Sequence, residues 1–351
     1  MAQPTERRQR RAAQSQADRG RQLERQQAER RVQLRRRATR VGLPLLVVGA
    51  VVAVIVLLVG GSSPPTRAAS HPALTQQRLL SLPAASAVAR GDGHAFVTDD
   101  FRDRLIEFDP SSDRAGHFVH LAGRPTAMVF AQGDLWVADM VQNAVVEVSP
   151  STLRVLRTIP VAAGPSGLAV LGDTLWVTSV DAGSVTPIEL ATGRAQAALP
   201  VPSGAVRIAA GFGALWVTGT SNDVTEIEPD SHGPSPVTPP IAVGQVPIGI
   251  TTGGGSVWVA NSADGSVTRL DPGTRNVVKT YSVGGNPLVL AYAGGHLWLA
   301  DGTGQSLRTI YPAPATKAVN LKTGPRSMLA VGNGVWVAAN NPGEVIAVTK
   351  N

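Results

Sequence analysis

The sequence predicts an all-β fold, a seven-bladed β-propeller, preceded by one transmembrane helix. Two observations carry this prediction: a repeat of about forty residues that fills most of the chain, and one uncharged apolar segment ahead of it. Every tryptophan in the 351-residue chain occupies the same place in the repeat, at intervals of 38 to 42 residues. A fixed period of this length is typical of propellers and solenoids. The tryptophans are Trp136, Trp176, Trp216, Trp258, Trp298 and Trp336.

Each repeat predicts four strands. A short apolar strand is entered through a Gly/Pro turn and carries an aliphatic residue eight positions before the aromatic. A glycine turn leads to the aromatic strand, and a tight loop such as Asp264-Gly265 leads to a third strand. That strand ends at turns such as Asp-Pro, and a fourth strand returns to the next entry. Because Phe96 takes the aromatic place forty residues before Trp136, the repeats number seven, enough for a closed ring of blades.

The last repeat has residues for three strands only, which makes a prediction about ring closure. Residues 77–82 resemble the fourth strands of other repeats, so we expect them to pair with residues 344–349 and complete the last blade. Such a pairing would cover an otherwise bare sheet edge. For the tryptophan row we favour packing between adjacent sheets over a stacking or sugar-binding stripe, because large rings supply that burial.

The motifs G-x-L-W-V, P-x-x-L-A-V and the Asp-Pro turn make the chain similar to the YncE/YVTN family of propellers, close to the virginiamycin B lyase-like and NHL-type propellers. The resemblance covers residues 78–351 and implies the fold, whereas propellers host enzymes, sensors and scaffolds alike. The lyase-like relatives imply a metal-assisted lyase with His and Glu converging on the central channel. No residue three positions after the aromatic is His or Glu, so the lyase chemistry does not carry over there. These residues are Asp99, Asp139, Ser179, Gly219, Asn261, Asp301 and Ala339.

The uncharged run over residues 41–60 is long enough for a helix that spans the hydrocarbon core of a bilayer. Arginines crowd its N-terminal side, and a Gly/Ser/Pro stretch follows it. The positive-inside rule then places residues 1–40 in the cytoplasm and the rest outside a bacterial cell membrane crossed once. The alternative is a cleaved signal peptide, which we disfavour because the apolar run exceeds a usual h-region and no clear A-x-A site follows. We therefore divide the chain into a basic cytoplasmic tail (1–40), a transmembrane helix (41–60), a linker (61–77) and the propeller (78–351).

The formal charge of +7 is concentrated in that tail, which holds thirteen arginines and four acidic residues. The remainder of the chain is slightly acidic, so we expect no nucleic-acid binding by the propeller. For the tail, we expect contact with anionic lipid headgroups at the membrane surface. Docking of a cytoplasmic partner or of nucleic acid to the tail is the other interpretation of its charge.

The loops after the second strand and the entries to the first strand share one face of a propeller, and function usually resides on such loops. We expect the binding site there, in a mixed ring of carboxylates, amides and guanidiniums suited to a polar or charged ligand. Its candidate residues are Asp99, Arg124, Asp139, Arg207, Asn261, Asp301 and Arg326.

Two function classes remain from the sequence. The first is a membrane-anchored, extracytoplasmic, non-catalytic module that binds an unknown extracellular ligand or envelope protein, as a sensor or a scaffold. The alternative is an extracytoplasmic lyase or hydrolase similar to virginiamycin B lyase, which the absent His/Glu set disfavours. We expect no cofactor and no metal, because the chain has no cysteine and its six histidines form no cluster in the sequence.

Overall fold

The computed structural model describes residues 74–201, 204–229, 237–314, 318–322, 324–340 and 343–350. The predicted tail (1–40), transmembrane helix (41–60) and most of the linker (61–77) lie outside these ranges. Inside them, no helix combines the length and the apolar character needed to cross a bilayer. The described residues form seven antiparallel sheets, which confirms the all-β, seven-bladed architecture.

The sheets follow one another along the chain, and each has four strand positions that we call a to d from the axis outward. The strands up to the end of blade 3 are β1 (Leu74–Leu82), β2 (Val88–Gly91), β3 (His94–Asp99), β4 (Arg104–Asp109), β5 (Arg114–His120), β6 (Pro125–Ala131), β7 (Asp134–Asp139), β8 (Ala144–Val148), β9 (Val155–Pro160), β10 (Pro165–Leu171), β11 (Thr174–Ser179), β12 (Ser184–Glu189), β13 (Arg194–Ala195) and β14 (Leu199–Pro200). Blade 1 is β2–β5, blade 2 is β6–β9 and blade 3 is β10–β14, in which β13 and β14 both pair with β12.

The remaining four blades continue the same order. Their strands are β15 (Arg207–Gly211), β16 (Ala214–Thr218), β17 (Asp223–Ile227), β18 (Ile241–Ala242), β19 (Pro247–Gly253), β20 (Ser256–Asn261), β21 (Ser266–Leu270), β22 (Val277–Ser282), β23 (Pro287–Ala293), β24 (His296–Asp301), β25 (Ser306–Tyr311), β26 (Val319–Asn320), β27 (Gly324–Val331), β28 (Gly334–Asn340) and β29 (Gly343–Lys350). Blade 4 is β15–β18, blade 5 is β19–β22, blade 6 is β23–β26, and blade 7 is β27–β29 with β1 as its outer strand.

The aromatic side chain of each strand b packs against the next blade of the ring. Phe96 of blade 1 lies in one apolar cluster with Leu135 and Val137 of blade 2. Trp336 of blade 7 closes the circle against Val97 of blade 1. All seven aromatics are buried. The tryptophan row is therefore the packing layer between adjacent sheets, as the repeat predicts.

The outer strand of blade 7 comes from the start of the described chain, which confirms the predicted closure. Strand β1 runs antiparallel to β29, with Arg78 opposite Ile346 and Leu82 opposite Gly343. Leu80 of β1 is 1% exposed, so the strand contributes core as well as hydrogen bonds. The tie joins the first and last strands of the ring and leaves β29 without a bare edge.

Candidate functional site

The first strand of every blade lines one cavity of about 610 Å³ at the centre of the ring. At one level its wall is aliphatic all round, because each blade contributes the residue that stands eight positions before its aromatic. We call this band the throat, and it consists of Val88, Met128, Leu168, Ile208, Ile250, Leu290 and Met328. Several of these side chains are only half-buried, so they face the cavity instead of filling it.

A β-bulge directly after a proline brings a second ring of side chains to the same cavity. In blade 2, for instance, the pairing of strands a and b shifts between Pro125 and Ala127, which leaves one extra residue on strand a. The same shift follows the proline in blades 3, 5, 6 and 7. A bulge bends its strand and redirects a side chain. The extra residues, with their counterparts in blades 1 and 4, are Ser86, Thr126, Ser166, Val206, Ile248, Leu288 and Arg326, and all line the cavity.

This second ring has a polar half and an apolar half. In blades 1 to 3 it carries hydroxyls, each of which donates a hydrogen bond to a backbone carbonyl of the following blade at 2.9–3.2 Å. In blades 4 to 6 it carries aliphatic side chains. The hydroxyl groups are those of Ser86, Thr126 and Ser166, and the aliphatic side chains are those of Val206, Ile248 and Leu288.

Four charged residues line the cavity, and we call them the mouth: Asp100, Arg124, Arg207 and Arg326. Arg326 and Arg124 lie two and four residues before the throat residues of their own blades, toward the end at which strand a begins. Arg207 directly precedes Ile208, and Asp100 lies in the b–c turn of blade 1. Asp100 accepts a hydrogen bond from the Nη2 of Arg326 at 3.4 Å and forms an ion pair with the Nη2 of Arg124 at 3.5 Å, so two arginines of neighbouring blades share its Oδ2. The two guanidiniums stay about half exposed and can reach a ligand.

Arg207 differs from the other two arginines because no carboxylate of a described residue lies within ion-pair distance of it. Its guanidinium donates to the backbone carbonyl of Ser166. Burial lowers the pKa of Arg207, and the positive charge of Arg326 lowers it further. An arginine nevertheless stays protonated at neutral pH. The mouth therefore holds an incompletely compensated cation beside a second cation, which is an arrangement that an anion would stabilise.

Of the seven residues that the sequence puts forward for binding, the structure brings the three arginines to the cavity and buries the other four inside turns. Asp99 accepts from the backbone N–H groups of Phe101 and Arg102 and pairs with Arg104 at 2.9 Å. Asp139, Asn261 and Asp301 have the corresponding place in their own blades and are at most 3% exposed.

The hydrogen bonds of these three residues also stay within or beside their turns. Asp139 accepts from the N–H of Gln142, and Asp301 accepts from the N–H of Gly304. Asn261 donates to the hydroxyls of Ser266 and Thr268 at 2.9 Å. The expectation that these side chains meet solvent around the channel is thus corrected, because they close the b–c turns. Ligand binding by Asp99, Asp139, Asn261 and Asp301 stays a prediction.

Sequence reasoning missed Asp100 as a partner of the arginines and missed the bulged ring altogether. The sequence feature that marks the bulged ring is the residue directly after each entry proline. This residue varies between repeats, whereas a proline always precedes it; the residues are Thr126, Ser166, Ile248, Leu288 and Arg326. Aligning the repeats on the tryptophan would have shown one side of the channel turning apolar. The aliphatic position eight residues before the aromatic was recognised as part of a strand, but not as channel lining.

No three His, Asp or Glu side chains within the described ranges come together closely enough to hold a metal ion. His94 and His296, at the a–b turns, lie on the other side of the blades from the mouth. His94 contacts Glu107 at 2.5 Å, and His296 contacts the backbone carbonyl of Gly294. These histidines do not line the cavity.

Comparison with known proteins identifies a fold and no family. No family model matches the chain, and no curated protein sequence matches it. Among solved structures, a catalytically inactive virginiamycin B lyase from Staphylococcus aureus, crystallised with quinupristin, is similar with a TM-score of 0.69 and 14% identity. The match covers 80% of this chain and 100% of that one.

Two further solved structures are similar to the chain. The hydrazine synthase of Kuenenia stuttgartiensis matches with a TM-score of 0.64 and 14% identity, over 77% of this chain and 96% of that one. The WD40 repeats of RRP9 match with a TM-score of 0.66 and 12% identity, over 80% and 99%. At these identities the likeness extends to the propeller fold alone.

Proposed function

We propose that the propeller is a non-catalytic binding module whose central cavity takes an anionic ligand at the mouth. The observation that carries this proposal is the Arg207 guanidinium, which faces the cavity without a carboxylate partner among the described residues. Arg124 and Arg326 share the single carboxylate of Asp100, so the charged lining has three cations to one anion. A carboxylate or phosphate fits these donors, because arginine forks bind both groups through two parallel N–H bonds.

The test uses the full-length chain in phosphatidylcholine nanodiscs, titrated calorimetrically with inorganic phosphate and with acetate. We expect both anions to bind, and Arg207→Gln to weaken binding at least tenfold, because one charge-assisted hydrogen bond is worth roughly 1.5–3 kcal/mol. Arg154→Gln is the matched control, since Arg154 is exposed on the c–d turn of blade 2 and lies outside the cavity. Unchanged affinity in Arg207→Gln, or no binding of either anion, would show that the mouth is not an anion site.

We further propose that the module is anchored in a bacterial cell membrane by residues 41–60 and held outside the cell as a sensor or scaffold of the YncE/YVTN type. The uncharged twenty-residue run and the arginines before it support this topology. The tail (1–40) would then rest on anionic headgroups of the inner leaflet. An anchored propeller would present its mouth to ligands or to envelope proteins outside the cell.

A further inference from the structure

The aliphatic lining of the throat is not explained by anion binding at the mouth. A cavity that served only as a solvent channel would expose a complete aliphatic band to water, which is unfavourable because apolar surface is stabilised by removal from water. Side chains that served only as packing would close the channel by contact with one another. Instead, the throat side chains line a cavity of about 610 Å³ that they share with the bulged ring and the mouth. The band is therefore suited to covering an apolar group that enters from outside.

The arrangement of the two rings indicates which way such a group would lie. Of the cations of the mouth, Arg326 belongs to the bulged ring and Arg207 donates to the Ser166 carbonyl of that ring, whereas the throat residues Met328 and Ile208 follow them along the same strands. Between them, Val206, Ile248 and Leu288 make one wall of the cavity apolar already at the mouth. A ligand that satisfied both ends would carry a negative charge at one end and an apolar part at the other.

Resting on the proposed anion site, we infer that the cavity binds a single-chain anionic amphiphile, with its head group at the mouth and its chain in the throat. The cavity volume corresponds to about 20 water molecules, so it suits a ligand of about that many non-hydrogen atoms. A long-chain carboxylate and a monoalkyl phosphate share this chemistry. Both present oxygens that a guanidinium can bind.

The experiment is a chain-length series on the full-length protein in phosphatidylcholine nanodiscs, with empty nanodiscs subtracted. The probes are acetate, butyrate, octanoate, decanoate and dodecanoate, together with dodecyl phosphate and dodecanol. We expect affinity to rise by about fourfold per added methylene, the factor that corresponds to burying one CH₂ group, until the chain fills the cavity. Dodecanol should bind at least tenfold more weakly than dodecanoate, because it lacks the negative charge that the guanidiniums of Arg207 and Arg326 would bind.

Two substitutions assign the ends of the ligand. Ile248→Thr replaces a half-buried aliphatic group of the wall by a smaller polar group, and should weaken dodecanoate without changing acetate. Arg207→Gln should weaken both acids. The relative affinities of dodecanoate and dodecyl phosphate distinguish a carboxylate head group from a phosphate head group. The inference is supported whichever of the two binds more tightly.

The possible failures are separable from those of the proposed function. If acetate and phosphate bind in an Arg207-dependent way but affinity does not rise with chain length, the amphiphile inference is overturned and the anion site stands. If dodecanoate binds and Arg207→Gln has no effect on any probe, the head-group assignment is wrong, and the anion site falls with it. A chain-length dependence that is equal in empty nanodiscs would also overturn the inference, because it would report partition into lipid. That outcome does not depend on any variant folding.

Discussion

Glu226 is a buried carboxylate whose ionisation makes the stability of the propeller depend on pH. The side chain is 5% exposed on β17, and the Nε of Arg275, from the next blade, lies 3.0 Å from its carboxylate. Burial raises the pKa of Glu226, the negative charge of Glu228 raises it further, and Arg275 opposes both. Desolvation therefore outweighs the ion pair, as is common for buried charged pairs.

We predict that the stability of Glu226→Gln, compared with that of the wild type, increases as pH rises. Because the folded-state pKa lies above the unfolded value, the folded protein holds this proton more tightly. The associated stability is present below the unfolded pKa and is lost as pH rises through the folded pKa. The difference in thermal midpoint between Glu226→Gln and the wild type should therefore shift in the variant's favour from about pH 4.5 upward.

Arg275 keeps bonds to the Thr238 hydroxyl and the Pro239 carbonyl in this variant, so the substitution does not strand it. Glu189→Gln, on an exposed carboxylate at the end of β12, serves as the control for simple loss of negative charge. Midpoint curves of variant and wild type that run parallel between pH 4.5 and 7 would contradict the prediction.

At the scale of elements, the described chain depends on one strand that is distant in sequence from its partners. β1 lies more than 250 residues before β29, yet it supplies the fourth strand of blade 7. Leu79, Leu80 and Leu82 bury their side chains in the cluster that also holds Trp336. The Nε and Nη2 of Arg78 both donate to the Oδ2 of Asp113 in blade 1, but this ion pair is exposed and contributes little. The closure is thus mainly hydrophobic.

We predict that Leu80→Ala lowers the free energy of unfolding by about 2–5 kcal/mol, the usual cost of truncating a fully buried leucine. Gln76→Ala on the same strand should change it by less than about 0.5 kcal/mol, because Gln76 is exposed. Urea titrations of both variants measure these differences. Deletion of residues 62–83 should destabilise the whole propeller, whereas deletion of 62–73 should not. Equal stability of the two deletions would show that β1 does not fasten the ring.

The strands, their order and the closure were predictable because each repeat carries its own pattern of turns and aliphatic residues. Trp136 and its counterparts mark strand b without ambiguity, and residues 77–82 resemble the fourth strands of the other repeats. The residues of the candidate site were harder to predict from the sequence than the strands. Asp99 looks like a surface residue in sequence, since Asp ordinarily favours exposed turns, but its turn folds inward and buries the carboxylate.

Asp100, the next residue, has no such signal, and its pairing with Arg326 joins positions 226 residues apart. A one-residue bulge decides which side chains reach the cavity, and such a shift reverses the expected faces of a strand. Single-sequence alternation therefore could not assign Thr126 or Arg326 to the channel.

At the scale of the whole molecule, topology decides what the mouth can bind, since a cavity outside the cell meets extracellular ligands. The chain has no cysteine, so a single introduced thiol reports its own side of the membrane without interference. Ser151 is exposed in blade 2, and Ser15 lies in the basic tail. We predict that Ser151→Cys reacts with a membrane-impermeant maleimide on intact bacterial protoplasts. Ser15→Cys should react only after permeabilisation, because the proposed topology places the arginine-rich tail in the cytoplasm.

The labelled chain should sediment with the membranes, which separates retention of the anchor from its cleavage. A propeller that is released into the medium with a new N-terminus near residue 65 would mean that residues 41–60 act as a signal peptide, and the Ser15→Cys label would be lost from it. Labelling of Ser15→Cys and not Ser151→Cys on intact protoplasts would invert the topology. The amphiphile site would then face the cytoplasm, while its chemistry, set by Arg207 and the throat, would be unchanged.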